Sequence, residues 1–178
     1  MYRLREMERK DIERINMWRN DPALIACLGA PFRYINADVD QRWYDQYMNS
    51  RNSCVRCAIV DERDEILGLV SLMSIDYVTS SCQLHIMIGA KENRGKGAGT
   101  FAVREMVRHG FNNLNLRRIE LGVLASNAHA LAVYEKVGFV REGVKRQAVY
   151  KNGTYVDLIM MGLLRNESAS SDAEKENG

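Results

Sequence analysis

The chain has 178 residues, of which 46% are hydrophobic and 27% charged, with a formal net charge of +2. This length suits one domain with a sizeable core, or a domain plus a tail, and the near-neutral balance argues against nucleic acid or a membrane surface as partner. No apolar run approaches bilayer length and the charged start MYRLREMERK lacks the pattern of a secretory signal, so a cytoplasmic protein is expected.

Residues 2–8 alternate and predict a first strand. Over 9–20, Ile12, Ile15 and Trp18 or Arg19 recur at helical spacing, and Asn20-Asp21-Pro22 stops the helix. A second helix over 38–50 would place Val39, Trp43, Tyr47 and Met48 on one side; the apolar segment between the two, with Gly29 and Pro31, reads as a packed connection. Residues 55–61, 66–75 and 82–89 read as three strands. Val103, Met106 or Val107, Gly110, Phe111 and Leu114 mark a helix over 100–114. A strand follows at 117–124, then a helix over 127–138 ended by Gly138. Residues 146–164 form two apolar runs around Asn152-Gly153, a hairpin signal. The polar end RNESASSDAEKENG predicts a disordered tail over 166–178. The order β-α-α-β-β-β-α-β-α-β-β describes an α/β (α+β) fold: one domain over 1–165 with a mixed sheet and helices on its faces.

Cys54 and Cys57 have a C-x-x-C spacing, but a zinc site needs a second pair, and Cys27, Cys82, His85, His109 and His129 are scattered. In a strand the two thiols would face opposite sides. No metal is expected.

The stretch NRGKGAGTF, 93–101, packs Gly95, Gly97 and Gly99 between a strand and a helix. A helix N-terminus offers unsatisfied N–H groups and partial positive charge, and glycine lets an anion approach them. The P-loop pattern is absent. The dinucleotide fingerprint fails because Thr100 stands at its last glycine and the loop lies in mid-chain. A tight turn without a ligand is the plain alternative.

RGKGAG (94–99) resembles the R-x-x-G-x-G/A pyrophosphate loop of the GNAT superfamily of N-acetyltransferases. NAHALAVYEKVGF (127–139) is similar to that superfamily's N-x-x-A-x-x-x-Y-x-x-x-G-F segment, with Asn127, Ala130, Tyr134, Gly138 and Phe139 in register. The two motifs stand in the family's order, and the resemblance spans roughly 2–164. It implies a mixed, mostly antiparallel, twisted sheet with helices on both faces, and acetyl-CoA as cosubstrate. It also implies that the end of the fourth strand and the start of the fifth splay apart around pantetheine. Backbone at Met87, Ile88 and Gly89 would line the acetyl arm. The N–H groups across Gly95, Lys96, Gly97, Ala98, Gly99 and Thr100 would hold pyrophosphate, Arg94 or Lys96 would add charge, and Asn127 would bond the arm, besides serving as a helix cap.

The implied chemistry needs a neutral amine, donors for the oxyanion and a proton for the departing thiolate, whose pKa near ~8.5 rewards a general acid. Tyr134 resembles the family's acid; its plain alternative is a core tyrosine. The base stays open. Ribosomal alanine acetyltransferases carry Glu five residues before the Asn, where this chain has Gly122; Glu120, Gln83 and His85 lie nearby in the strands. His85, with an unperturbed pKa near ~6.5, suits the task, as does ordered water.

Trp18-Arg19-Asn20-Asp21 resembles an element of several branches that acetylate amino sugars or ribosomal protein N-termini, while the late hairpin with Tyr155 and Asp157 looks like that of spermidine acetyltransferases. Few acids lie in 20–50, which weakens a polyamine acceptor and leaves Arg19, Arg33 and Arg42 as candidate anion contacts. Three functions are carried forward: a small-molecule amine acetyltransferase, a protein N-terminal or lysine acetyltransferase, and a non-catalytic acyl-CoA-binding module. The family analogy adds a homodimer.

Overall fold

The computed structural model describes residues 1–89 and 91–168. One seven-stranded sheet has the order β1-β2-β3-β4-β5-β7-β6. Its strands are β1 (Arg3–Glu6), β2 (Val55–Val60), β3 (Ile66–Asp76), β4 (Ser81–Ile88), β5 (Arg118–Leu124), β6 (Val140–Lys151) and β7 (Thr154–Leu164). Only β4 and β5 run parallel; every other neighbour pair is antiparallel.

The helices are α1 (Ile12–Arg19), α2 (Pro22–Ala26), α3 (Ala37–Asn49), α4 (Ala98–Asn112) and α5 (Ala128–Val137). Two cores result, one per sheet face. On one, α4 and α5 bury Ala102, Val103, Met106, Val107, Phe111, Leu131 and Tyr134 against Val70, Leu72, Leu84, Ile119 and Leu121. On the other, Ile12, Ile15 and Trp18 of α1 and Tyr47 of α3 pack with Cys54 and Leu69. Cys54 and Cys57 fall on opposite faces, as strand alternation requires.

Three local expectations change. The stop at Asn20-Asp21-Pro22 is also a start: Asp21 accepts the Ala23 N–H at 2.9 Å and Pro22 takes the first helical position, so α2 stands where a connection was expected. In α3, Val39 and Met48 are exposed and Asp40 is fully buried, because Arg19 and Asn16 both bond its carboxylate. And β6 begins at Val140, well before 146, continuing from α5 with nearly all its residues exposed along the sheet edge. Residues 165–168 add one helical turn, where the Glu167 carboxylate accepts the Leu164 N–H. The rest of the expected tail, 169–178, lies outside the described residues.

Candidate active site

The parallel pair β4–β5 supplies the opening. Its strands pair only at Ser81–Arg118, Cys82–Ile119 and Gln83–Glu120. Beyond that rung β4 stays on β3 as far as Ile88, and β5 stays on β7 as far as Leu124. The two ends therefore separate and leave a gap with unmet backbone groups on both rims. The expectation put the start of β5 at the splay; instead the starts are paired and both ends diverge.

Ladder alternation decides which groups face the gap. Gly89 gives its N–H to Leu67 of β3 at 2.8 Å. Main-chain groups of an antiparallel strand alternate sides, so Met87 also turns its polar groups to β3, while Ile86 and Ile88 turn theirs to the gap. On the other rim, Ala125 donates to Asp157 of the β7 side at 3.1 Å, which aims the main chain of Gly122 at the gap. Ile86 was missed from sequence. The two-residue alternation could have found it once one bond was known. The side chain of Met87 instead joins the core beneath α1 and α3.

Gly89 has a different duty. A Cβ there would lie 2.0 Å from the Trp18 indole, so the ring packs directly on bare backbone at the end of β4. This explains Trp18. The three residues after it are equally engaged: Arg19 pairs with Asp40, Asn20 bonds both backbone groups of Ile35, and Asp21 caps α2. Arg19 is thus committed to a buried carboxylate and is not a free anion contact.

The glycine loop leads into α4. Gly95 and Gly97 have φ of +74° and +90°, backbone states that other residues enter only with strain. Gly97 is the N-cap and has no side chain to cap with; Phe101 is the first N–H to bond back, to the Gly97 carbonyl at 3.0 Å. The N–H groups of Ala98, Gly99 and Thr100 are left as the helix's orphan donors, the arrangement an anion requires. Gly99 has ordinary φ, and a Cβ there would only touch Ile88 at 3.7 Å. Tyr2 holds the loop by donating to the Lys96 carbonyl at 2.8 Å, and Arg94 bonds the Gly89 carbonyl at 3.0 Å, tying the loop to β4. Lys96 itself is exposed beside the orphan donors.

Gly97→Val is expected to weaken CoA binding about 5- to 30-fold, the cost of about 1–2 kcal/mol for re-forming a left-handed turn with a side chain. A Cβ at Gly97 meets nothing within 4 Å, so no clash is added, and the melting temperature should fall only by what the strained φ costs. Calorimetric titration with CoA beside a thermal melt checks both; unchanged affinity would remove the cradle.

Tyr134 projects from α5 with its ring buried edge-on to Phe139, centroids 5.9 Å apart. Burial pushes its pKa up to about 12, so the phenol carries its proton at neutral pH. Its hydroxyl bonds no other group among the described residues and is not among their buried unpaired atoms. Asn127 caps α5 by accepting the Ala130 N–H at 3.1 Å and donates to the Cys27 carbonyl at 3.0 Å, so each end of its amide already has a protein partner.

His85 and Glu120 lie on the face opposite Tyr134, with Gln83. His85 is exposed beside the unpaired stretch of β4; desolvation and the nearby Arg56 charge lower its pKa. Glu120 sits on the last paired rung and accepts from Arg118 at 3.2 Å. At Gly122 a side chain would press on Leu158, 2.9 Å away. Among the described residues no group of three or more His, Cys, Asp or Glu could hold a metal ion, and no helix is long and apolar enough to cross a membrane.

The arrangement joins an anion cradle, a backbone-lined slot and a protonated phenol. Comparison with known proteins identifies the family. The family model described as an acetyltransferase (GNAT) domain matches residues 2–140. A spermidine N(1)-acetyltransferase of Vibrio cholerae is 30% identical over 165 residues, covering 92% of this chain and 93% of that protein. A Bacillus subtilis protein provisionally named a ribosomal N-acetyltransferase is 35% identical over 102 residues, 57% of this chain and 55% of its own. The crystal structure of a Vibrio cholerae spermidine N-acetyltransferase in complex with CoA and spermine superposes with a TM-score of 0.88 at 29% identity, covering 94% of this chain and 98% of that one.

Proposed function

Since the chain belongs to the GNAT acetyltransferase family and is an acetyl-CoA-dependent N-acetyltransferase, we propose that its acceptor is the primary amine of a small molecule, attacking the thioester directly in the β4–β5 gap. The observation that carries this is the gap itself. It opens between the orphan N–H groups of α4 and the phenol of Tyr134 on one face, and reaches His85 on the other. Pyrophosphate would bind across Gly95 to Thr100 with Lys96 beside it, and pantetheine would lie against the main chain of Ile86, Ile88 and Gly122. A gap-facing N–H of β4 would meet the oxyanion. Tyr134 would donate its proton to the departing sulfur. The domain spans 1–165, and we place it in the cytoplasm. The exposed β6 edge, with Val140 and Val144 bare, is the surface available for a homodimer.

His85 is the base in this scheme, directly or through one water. Its neutral form is the active one, and its lowered pKa keeps it neutral further into acid. The acid limb of kcat/KM should therefore fall below pH ~6.5, and His85→Gln should abolish that limb. A limb unchanged by the substitution would assign the proton path to water alone.

Incubation with acetyl-CoA and separate pools of small amines, amino sugars and peptides, followed by mass spectrometry, tests the acceptor class. Product among small molecules is expected; product only on peptides would favour the protein-acetylating alternative, which the likeness to the Bacillus subtilis protein supports.

A further inference from the structure

The acceptor side of the gap holds a guanidinium that no carboxylate meets. Arg56 of β2, Ser71 of β3 and His85 of β4 stand opposite one another in register, so they form one row on the face beneath α3. The Arg56 guanidinium lies 4.6 Å from the Trp43 ring centre and 5.8 Å from that of Tyr47. Its Nε is buried without a hydrogen-bond partner, the one such side-chain nitrogen or oxygen among the described residues. Cys54 is close by, and Arg19, its charge balanced by Asp40, stacks on the same Trp43 ring at 5.3 Å.

A partly buried cation with no carboxylate partner is costly, and the ring and Cys54 contacts offset only part of that cost. Most carboxylates on the elements around it are taken; Asp38, exposed in the first turn of α3, is the exception. Asp40 holds Arg19 and Asn16. Glu6 accepts from Tyr47 at 2.7 Å and from Arg51 at 2.8 Å. Glu120 accepts from Arg118. A polyamine would bring further cations beside a guanidinium that no carboxylate balances. A ligand carboxylate would find the planar fork that matches it. Strands β2 and β4 are two spacings apart, about 10 Å, a span that one arginine side chain and a short amino acid bridge together.

We infer that the acceptor amine also carries a carboxylate, an amino-acid-type substrate rather than a polyamine, with Arg56 binding the carboxylate while the amine lies at His85. This rests on the small-molecule reading above and names its substrate class. Arg56 is a specificity residue, not a proton carrier.

The test uses the full-length enzyme with acetyl-CoA and matched acceptors: amino acids, their carboxamides, the amines left by decarboxylation, an aminoalkyl phosphate and spermidine. The free amino acid should lead its neutral counterparts by at least tenfold in kcat/KM, chiefly through KM. Arg56→Gln should collapse that ratio, and Arg56→Lys should restore part of it, with CoA affinity measured by calorimetry as the control for folding. A preference for spermidine or for carboxylate-free amines overturns the inference while leaving the acetyltransferase intact, and so does a preference for the phosphate. A ratio that survives Arg56→Gln removes Arg56 from the assignment. Failure to acetylate any amine overturns the inference together with the proposed function. If Arg56→Gln does not fold, the matched acceptors on the unaltered enzyme still decide between carboxylate and polyamine.

Discussion

Tyr134→Phe is expected to lower kcat by about 100-fold or more, the range for losing a positioned general acid, while CoA affinity and melting temperature stay near the parent's. The ring is what packs: it is buried against Phe139 and the α4–α5 core, and phenylalanine keeps that packing. The hydroxyl bonds no protein group among the described residues, so its removal strands no partner. What disappears is the proton. With the pKa pushed up to about 12, the phenol is the protonated form throughout the neutral range. The basic limb of the parent's rate profile is therefore not set by Tyr134 near neutrality. Steady-state kcat beside calorimetric CoA binding checks this. An unchanged kcat would mean the thiolate leaves without this donor.

Gly89→Ala is expected to destabilise the protein by about 3 kcal/mol, the upper range for overpacking. The added Cβ would stand 2.0 Å from one carbon of the Trp18 ring and 2.2 Å from the next. Neither partner has room: Trp18 is buried in the core beneath α1 and α3, and Gly89 is pinned to Leu67 by its N–H. The ring must leave, and α1 with it. Trp18→Leu costs packing alone, yet in the Gly89→Ala background it should recover part of the loss. Urea unfolding of the four proteins measures the coupling, expected at about 1 kcal/mol or more. Additive losses would show that the contact is not the one that matters.

The sequence carried the element order because its apolar periods are clean and its punctuation is glycine, Asn-Gly and Asn-Asp-Pro. Gly95 and Gly97 stood out as glycines where the turn into α4 needs positive φ, and Tyr134 stood out only through its register with the family segment. Other features were hidden for physical reasons. Asp40 reads as a solvated helix residue until Arg19 and Asn16 arrive from another element to bury it. Asn127 reads as free to bond a ligand until Cys27, far away in the chain, occupies its amide. Whether Met87 or Ile86 faces the gap depends on pairing register, which no single strand encodes. Arg56 belongs to no motif, and only the fold shows that its Nε is buried without a partner.

Residue-resolved amide hydrogen exchange, with and without acetyl-CoA, tests the central claim most directly. The N–H groups of Ile86, Ile88, Ala98, Gly99 and Thr100 should exchange quickly in the free protein and become protected when acetyl-CoA is added. Those of Met87 and Gly89, already bonded to β3, should be slow in both states. Protection appearing elsewhere, with the β4 rim and the start of α4 still exchanging freely, would contradict a cofactor held in the β4–β5 gap.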